Sequence, residues 1–207
     1  MVTALQYFAL FAGAYLLGSA SLSIIVSSKL FGGDIRRMGS GNAGATNMTR
    51  VFGWGAGVLT LFGDALKAVI SMVIGNLLFG DIGLALAGAG CIFGHCFPIF
   101  HGFKGGKGVS VGGAVAFAID WRVGLVVVGA FLIGVLLSKK VSVGSICGAL
   151  AILIGARVFQ MSDPKVALAA FCMCLVIIRH RANISRLIAG TEPNFKVGKS
   201  RKKTNTQ

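Results

Sequence analysis

Three short segments hold most of the residues able to do chemistry. The first is GSGNAGATN at 39–47, followed by Arg50. Its glycines let the backbone turn sharply and aim N–H groups at an anion. Ser40, Asn42, Thr46 and Asn47 add neutral donors, and Arg50 can hold a phosphate through two parallel bonds. The second is GFKGGKGVS at 102–110, which places Lys104, Gly105, Gly106, Lys107 and Gly108 just ahead of an apolar run. Backbone N–H groups and a helix amino terminus there make an anion seat. The order GxxxxGK[ST] of a nucleotide-hydrolysing loop is missing, and no acidic strand end is present to hold magnesium. Phosphate binding without nucleotide hydrolysis is therefore expected. The third is RHRAN at 179–183, leading to Arg186, Gly190, Glu192 and Phe195. His180 and Asn183 stand three apart and share a helix face. Histidine suits proton work near neutral pH. Glu192 is the one Glu in the chain and reads as structural.

Each segment also has a plainer reading: a helix cap, a charged loop, an interfacial histidine. The number of donors gathered beside Arg50 exceeds what a cap needs.

The elements that must position these segments are apolar. Of 207 residues, 55% are hydrophobic and only 13% charged, about half the usual charged share of a soluble domain. The runs are 3–28, 51–79, 82–100, 109–119, 123–138, 141–160 and 166–178, with Ser162-Asp163-Pro164 as a clear turn. They predict an all-α integral membrane protein with seven transmembrane helices. The run 109–119 is short for a span of about 20 residues, so it must borrow from the glycine loop or sit where the bilayer thins. No cleavable signal is expected, because the first charged side chain is Lys29 and the first run is too long.

Twenty Lys and Arg face six Asp and Glu, a net charge of +14. With the amino terminus outside and the carboxyl terminus cytoplasmic, all of those cations except Lys67, Arg122, Arg157 and Lys165 fall on the cytoplasmic side. That orientation explains the charge without nucleic acid and puts all three segments on one face. Residues 1–195 are expected to form a single membrane domain, and 196–207 a basic disordered cytoplasmic tail. The tail is expected to strengthen attraction to an anionic leaflet and to be dispensable for chemistry. Asp64 and Lys67, at i, i+3 inside an apolar run, are expected to pair with each other.

Taken together, GSGNAGATN with Arg50, GHCFPIFHGFKGGKGV, and RHRANISRLIAGTEPNF resemble the bacterial acyl-phosphate–glycerol-3-phosphate acyltransferase family, the PlsY type. The three segments match in order, and the resemblance covers nearly the whole chain. It implies that the 1-hydroxyl of glycerol 3-phosphate attacks the carbonyl of a fatty acyl phosphate, giving lysophosphatidic acid and inorganic phosphate. It implies functional positions at Ser40, Arg50, Lys107, His180 and Asn183, with Ser145 as a further one. The loop Gly105–Ser110 would cradle the donor's phosphate. The family often reads Ala-Thr after GKGV, whereas this chain has Ser110 directly after Val109. No cofactor is implied. Membrane lipids surround the protein, a monomer is expected, and the setting is the bacterial cytoplasmic (inner) membrane with the site facing the cytoplasm.

An acyl phosphate is already activated, so positioning and charge compensation can carry the reaction. No histidine lies five residues before an aspartate, so the HxxxxD dyad of other glycerolipid acyltransferases is missing. Either a substrate phosphate oxygen or His180 acts as the base. Cys91, His95, Cys96 and His101 fit no zinc spacing, and no metal is expected. Two rivals use the same basic loops: an organic-phosphate transporter, and a non-catalytic binder of acidic headgroups. The first is disfavoured by the missing internal repeat. The second leaves both glycine loops unexplained.

Overall fold

The computed structural model describes residues 3–195. Among them the regular structure is helical, with no strand. The helices are α1 (Ala4–Ser19), α2 (Leu22–Phe31), α3 (Ala45–Phe52), α4 (Trp54–Cys96), α5 (Val109–Ile119), α6 (Trp121–Ser138), α7 (Val141–Val158), α8 (Asp163–Arg179) and α9 (Arg181–Ile188). The segment 196–207 lies outside the described residues.

Four helical stretches are long and apolar enough to cross a membrane: Ala4–Phe31, Trp54–His101, Trp121–Ser138 and Val141–Val158. The helices α8 and α9, bent by 57° to each other, meet the same measure only when taken together. Outward side chains of the four stretches are apolar, as lipid contact requires; Leu77, Leu136 and Leu137 are all at least 75% exposed.

Helix α4 has 43 residues, about 65 Å at 1.5 Å per residue, twice a hydrocarbon core. It breaks at Phe79 and Gly80, where Gly80 takes φ +58. The limbs fold against each other through Gly75 and Gly83. A Cβ on either would overlap the other's carbonyl. The expected boundary between runs at 79–82 is therefore a tight turn between two packed limbs.

The expected first run contains a break that its hydropathy does not announce. Helix α1 ends at Ser19 and α2 starts at Leu22, leaving backbone carbonyls at apolar depth without helical partners. Lys67 supplies the partner: its Nζ donates to Gly18 O at 2.8 Å and to Ala20 O at 2.9 Å. Lys67 in turn pairs with Asp64 at 2.9 Å, both buried. The expected pair is thus present, and it pins α1 to α4. The same contact runs through small residues: Gly18, Gly90 and Gly94 each meet the opposite backbone where a Cβ would stand.

The short run 109–119 forms α5, about 16 Å long, roughly half a hydrocarbon core. Val111, Val115, Ala116 and Ile119 are buried, and α5 packs on α4, α6, α7 and α8. Asp120 ends it and accepts from Arg122 N at 2.8 Å, starting α6.

Candidate active site

The three polar segments meet around the amino terminus of α5. Gly108 takes φ +84 there and offers no side-chain cap. The N–H groups of the first turn, through Val111, consequently have no helical partner and face the loop. Ser110 lies in this turn, partly buried. Helix α3 begins the same way, behind Gly44 with no side-chain cap. The two glycine segments touch: a Cβ on Gly106 would meet Ala43 O at 2.7 Å.

Arg179, at the end of α8, closes the loop from the third segment. Its Nε donates to Gly106 O and its second terminal nitrogen to Gly105 O, both at 3.1 Å. Its guanidinium stacks 5.1 Å from the centre of the Phe97 ring. Both carbonyls are thus drawn towards Arg179. His95 sits on another side of the loop, its O accepting from Gly106 N at 3.1 Å.

Lys107 extends from this loop to Asn183 and donates to its Oδ1. The Asn183 amide cannot flip, because its Nδ2 donates to Glu192 Oε1 at 2.7 Å. Glu192 also accepts from Arg186 Nε at 2.7 Å. Burial opposes the charged carboxylate of Glu192, but hydrogen bonds, Asn183's first, outweigh it and hold the carboxyl below its ordinary range. Burial of Lys107 lowers its ammonium to about 8; Glu192 opposes that shift, and Arg186, Arg179 and Arg50 add to it. Four cations thus share one small region, a field that suits phosphate.

His180 is buried at the corner between α8 and α9. Its Nδ1 lies 2.7 Å from Val176 O. A carbonyl only accepts, so Nδ1 carries the proton and Nε2 presents a lone pair. Burial pushes the imidazole down to about 4, so it is neutral at pH 7.

Not every expected residue enters this cluster. Lys104 stands exposed, as does Ser40. Ser40, Asn42 and Arg50 hydrogen-bond no residue of the other two segments among the described residues. Ser145 is buried in α7 and donates to Val141 O at 2.9 Å, within its own helix. Asn47, expected as an anion donor, is instead a buried staple. Its Oδ1 accepts from Ser40 N at 2.9 Å, and its Nδ2 donates to Met38 O and Asn42 O at 3.0 Å. These bonds consume its polar atoms and shape the first loop. Arg179, Glu192 and His95 are absent from the sequence-based site, yet each holds part of it.

The chain matches the family model described as glycerol-3-phosphate acyltransferase over residues 8–190. A glycerol-3-phosphate acyltransferase of Syntrophotalea carbinolica is 40% identical over 196 residues, covering 92% of this chain and 98% of the relative. That of Trichormus variabilis is 40% identical over 200 residues, 88% of each chain. The fold matches the crystal structure of PlsY, an integral membrane glycerol 3-phosphate acyltransferase, in its glycerol 3-phosphate form. The TM-score is 0.87 at 38% identity, covering 92% of this chain and 96% of that one. The lysophosphatidic acid form of PlsY gives 0.86 at 37% identity. With a matched model over residues 8–190, relatives at 40% identity and a shared fold, this chain belongs to the glycerol-3-phosphate acyltransferase family.

Proposed function

We propose that this enzyme transfers a fatty acyl group from an acyl phosphate to the 1-hydroxyl of glycerol 3-phosphate. The products are lysophosphatidic acid and inorganic phosphate. The observation that carries this reading is Lys107, fixed by Asn183 at an uncapped helix amino terminus, in a loop whose carbonyls are drawn away by Arg179. The N–H groups and the ammonium are left for an anion, which we take to be the donor's phosphate. As the hydroxyl oxygen bonds to the acyl carbon, the carbon–oxygen bond to phosphate breaks, and Lys107 with α5 takes up the charge on the departing phosphate. Ser40 and Asn42, ahead of the amino terminus of α3, and Arg50, in its last turn, hold the phosphate of glycerol 3-phosphate. Ser145 borders the acceptor.

The hydroxyl proton must go to a base. At about 4, His180 is a poor one at neutral pH, whereas a phosphate dianion is better matched. The proton therefore passes to a phosphate oxygen of the substrate, while His180 Nε2 and Asn183 orient the acceptor.

Seven crossings, with the amino terminus outside and the site at the cytoplasmic face of a bacterial inner membrane, fit the distribution of Lys and Arg. The limbs of α4 count as two crossings, and α5 as one. The acyl tail of the donor then stays in inner-leaflet lipid while both phosphates arrive from the cytoplasm. Residues 1–195 act as one catalytic unit, as a monomer.

The test uses the purified protein in lipid or mild detergent. Palmitoyl phosphate and glycerol 3-phosphate are supplied, and phosphate release is followed together with lysophosphatidic acid. Palmitoyl-CoA replaces the donor in parallel. Product from palmitoyl phosphate alone, lost in Arg50→Ala, supports the reading. No product from either donor in well-folded protein overturns it.

A further inference from the structure

The reaction above leaves a buried ionic group unused. Asp64, Lys67 and His95 lie together at no more than 4% exposure. His95 Nδ1 is 3.5 Å from Asp64 Oδ1 and 3.4 Å from Lys67 Nζ. Lys67 is fixed independently by Gly18 O and Ala20 O. One edge of the imidazole is therefore set by charges that are themselves anchored to two helices. The opposite edge meets the glycine loop. A Cβ on Gly106 would overlap His95 Nε2, and one on Gly105 would overlap His95 O. The loop rests directly on this residue, backbone and ring.

We propose that His95, oriented by the Asp64–Lys67 pair, is a positioning residue that sets where the Gly105–Gly108 loop presents its N–H groups and Lys107 to the donor's phosphate. The inference rests on reading that loop as the donor-phosphate seat. Arg179 draws the loop carbonyls from one side, and His95 supports Gly106 from another. Removing the ring opens a gap beneath Gly106, into which the loop can sink. A phosphate seat is sensitive to such a shift, because a misplacement of about 1 Å costs on the order of a hundredfold. Glycerol 3-phosphate, seated by the first segment, is spared.

The test compares His95→Ala and His95→Gln in the full-length protein, with KM for palmitoyl phosphate and for glycerol 3-phosphate measured separately. KM does not depend on the folded fraction, so partial loss of protein leaves the readout intact. His95→Ala is expected to raise KM for palmitoyl phosphate by about tenfold or more, with that for glycerol 3-phosphate within about twofold. His95→Gln, which refills much of the gap, is expected to restore part of the loss. An unchanged donor KM overturns the inference, as does an equal rise in both. If neither variant folds, His95 serves the fold and the inference also falls. Lys107→Ala separates the two levels. A donor KM unmoved in Lys107→Ala sinks the donor-seat reading itself, whereas one moved there but not in the His95 variants sinks only this inference.

Discussion

Replacing Lys107 by alanine removes the ammonium that Asn183 aims at the site. The loss has two parts. A hydrogen bond to a charged group is worth about 1.5–3 kcal/mol. Charge growing on a departing group adds to this, and losing one preorganised donor typically costs about 10²–10³ in turnover. A fall in kcat/KM of about 10²–10³ is therefore expected, read as phosphate release from palmitoyl phosphate. The pH dependence makes the argument sharper. Lys107 titrates at about 8, so roughly nine-tenths of the free enzyme carries the charge at pH 7 and roughly one-tenth at pH 9. The charged form predominates below that value, so kcat/KM should decline as pH rises through about 8. Lys107→Arg keeps its charge in that range and should remove the decline, while losing rate overall because the planar guanidinium fits a different geometry. A flat wild-type profile from pH 7 to 9.5, or Lys107→Ala within about threefold of wild type, would refute the reasoning.

The other predictions concern the groups around it. His180 is neutral above about pH 5, so the profile should show no acidic limb near 6.5 that His180→Gln abolishes. That variant should lose at most about tenfold, the worth of one hydrogen bond, and a far larger loss would restore a proton role. Glu192→Ala leaves the buried Asn183 Nδ2 without its acceptor, at about 1–3 kcal/mol, while the half-exposed Arg186 turns to water; the variant should lower both the melting temperature and turnover. Glu192→Gln keeps an acceptor and should recover part of each; wild-type behaviour of the alanine variant would discount the bond. Gly83→Val drives a side chain into the Gly75 carbonyl and should destabilise the α4 turn by about 1–3 kcal/mol, seen as a lower melting temperature in detergent.

The apolar helices are legible in the sequence because apolar length is a local property. The turn at Phe79–Gly80, the boundary at Asp120 and the brevity of 109–119 could all be read from neighbours in the chain. So could the Asp64–Lys67 pair, at i, i+3. What escaped was settled by distant partners. The break at Ala20 is stabilised by Lys67, 47 residues away, and nothing in its hydropathy marks it. Arg179 looked like another cytoplasmic charge, and its role appears only against Gly105, 74 residues earlier. Asn47 was misjudged for the opposite reason. Its donors looked free in a polar loop, but the loop folds around them. Glu192 fixes the amide that holds Lys107, a partner that the sequence around it does not mark.

The grip of Arg179 on the glycine loop also bears on how the gene tolerates interruption. The loop leaves the ribosome long before the residue that completes it, and Asn183 and Glu192 come later still. Until the codon for Arg179 is read, the half-made chain in the bilayer has its anion seat without the clasp. A nascent or truncated product that lacks Arg179 is therefore expected not to acylate substrate. A stop codon anywhere before 179 should give a null allele, even where most helices insert. Two fragments divided in the turn at 160–162 should be silent apart and active when made together, since Arg179 can reach the loop from a separate chain. Activity in the longer fragment alone would show that the clasp is dispensable.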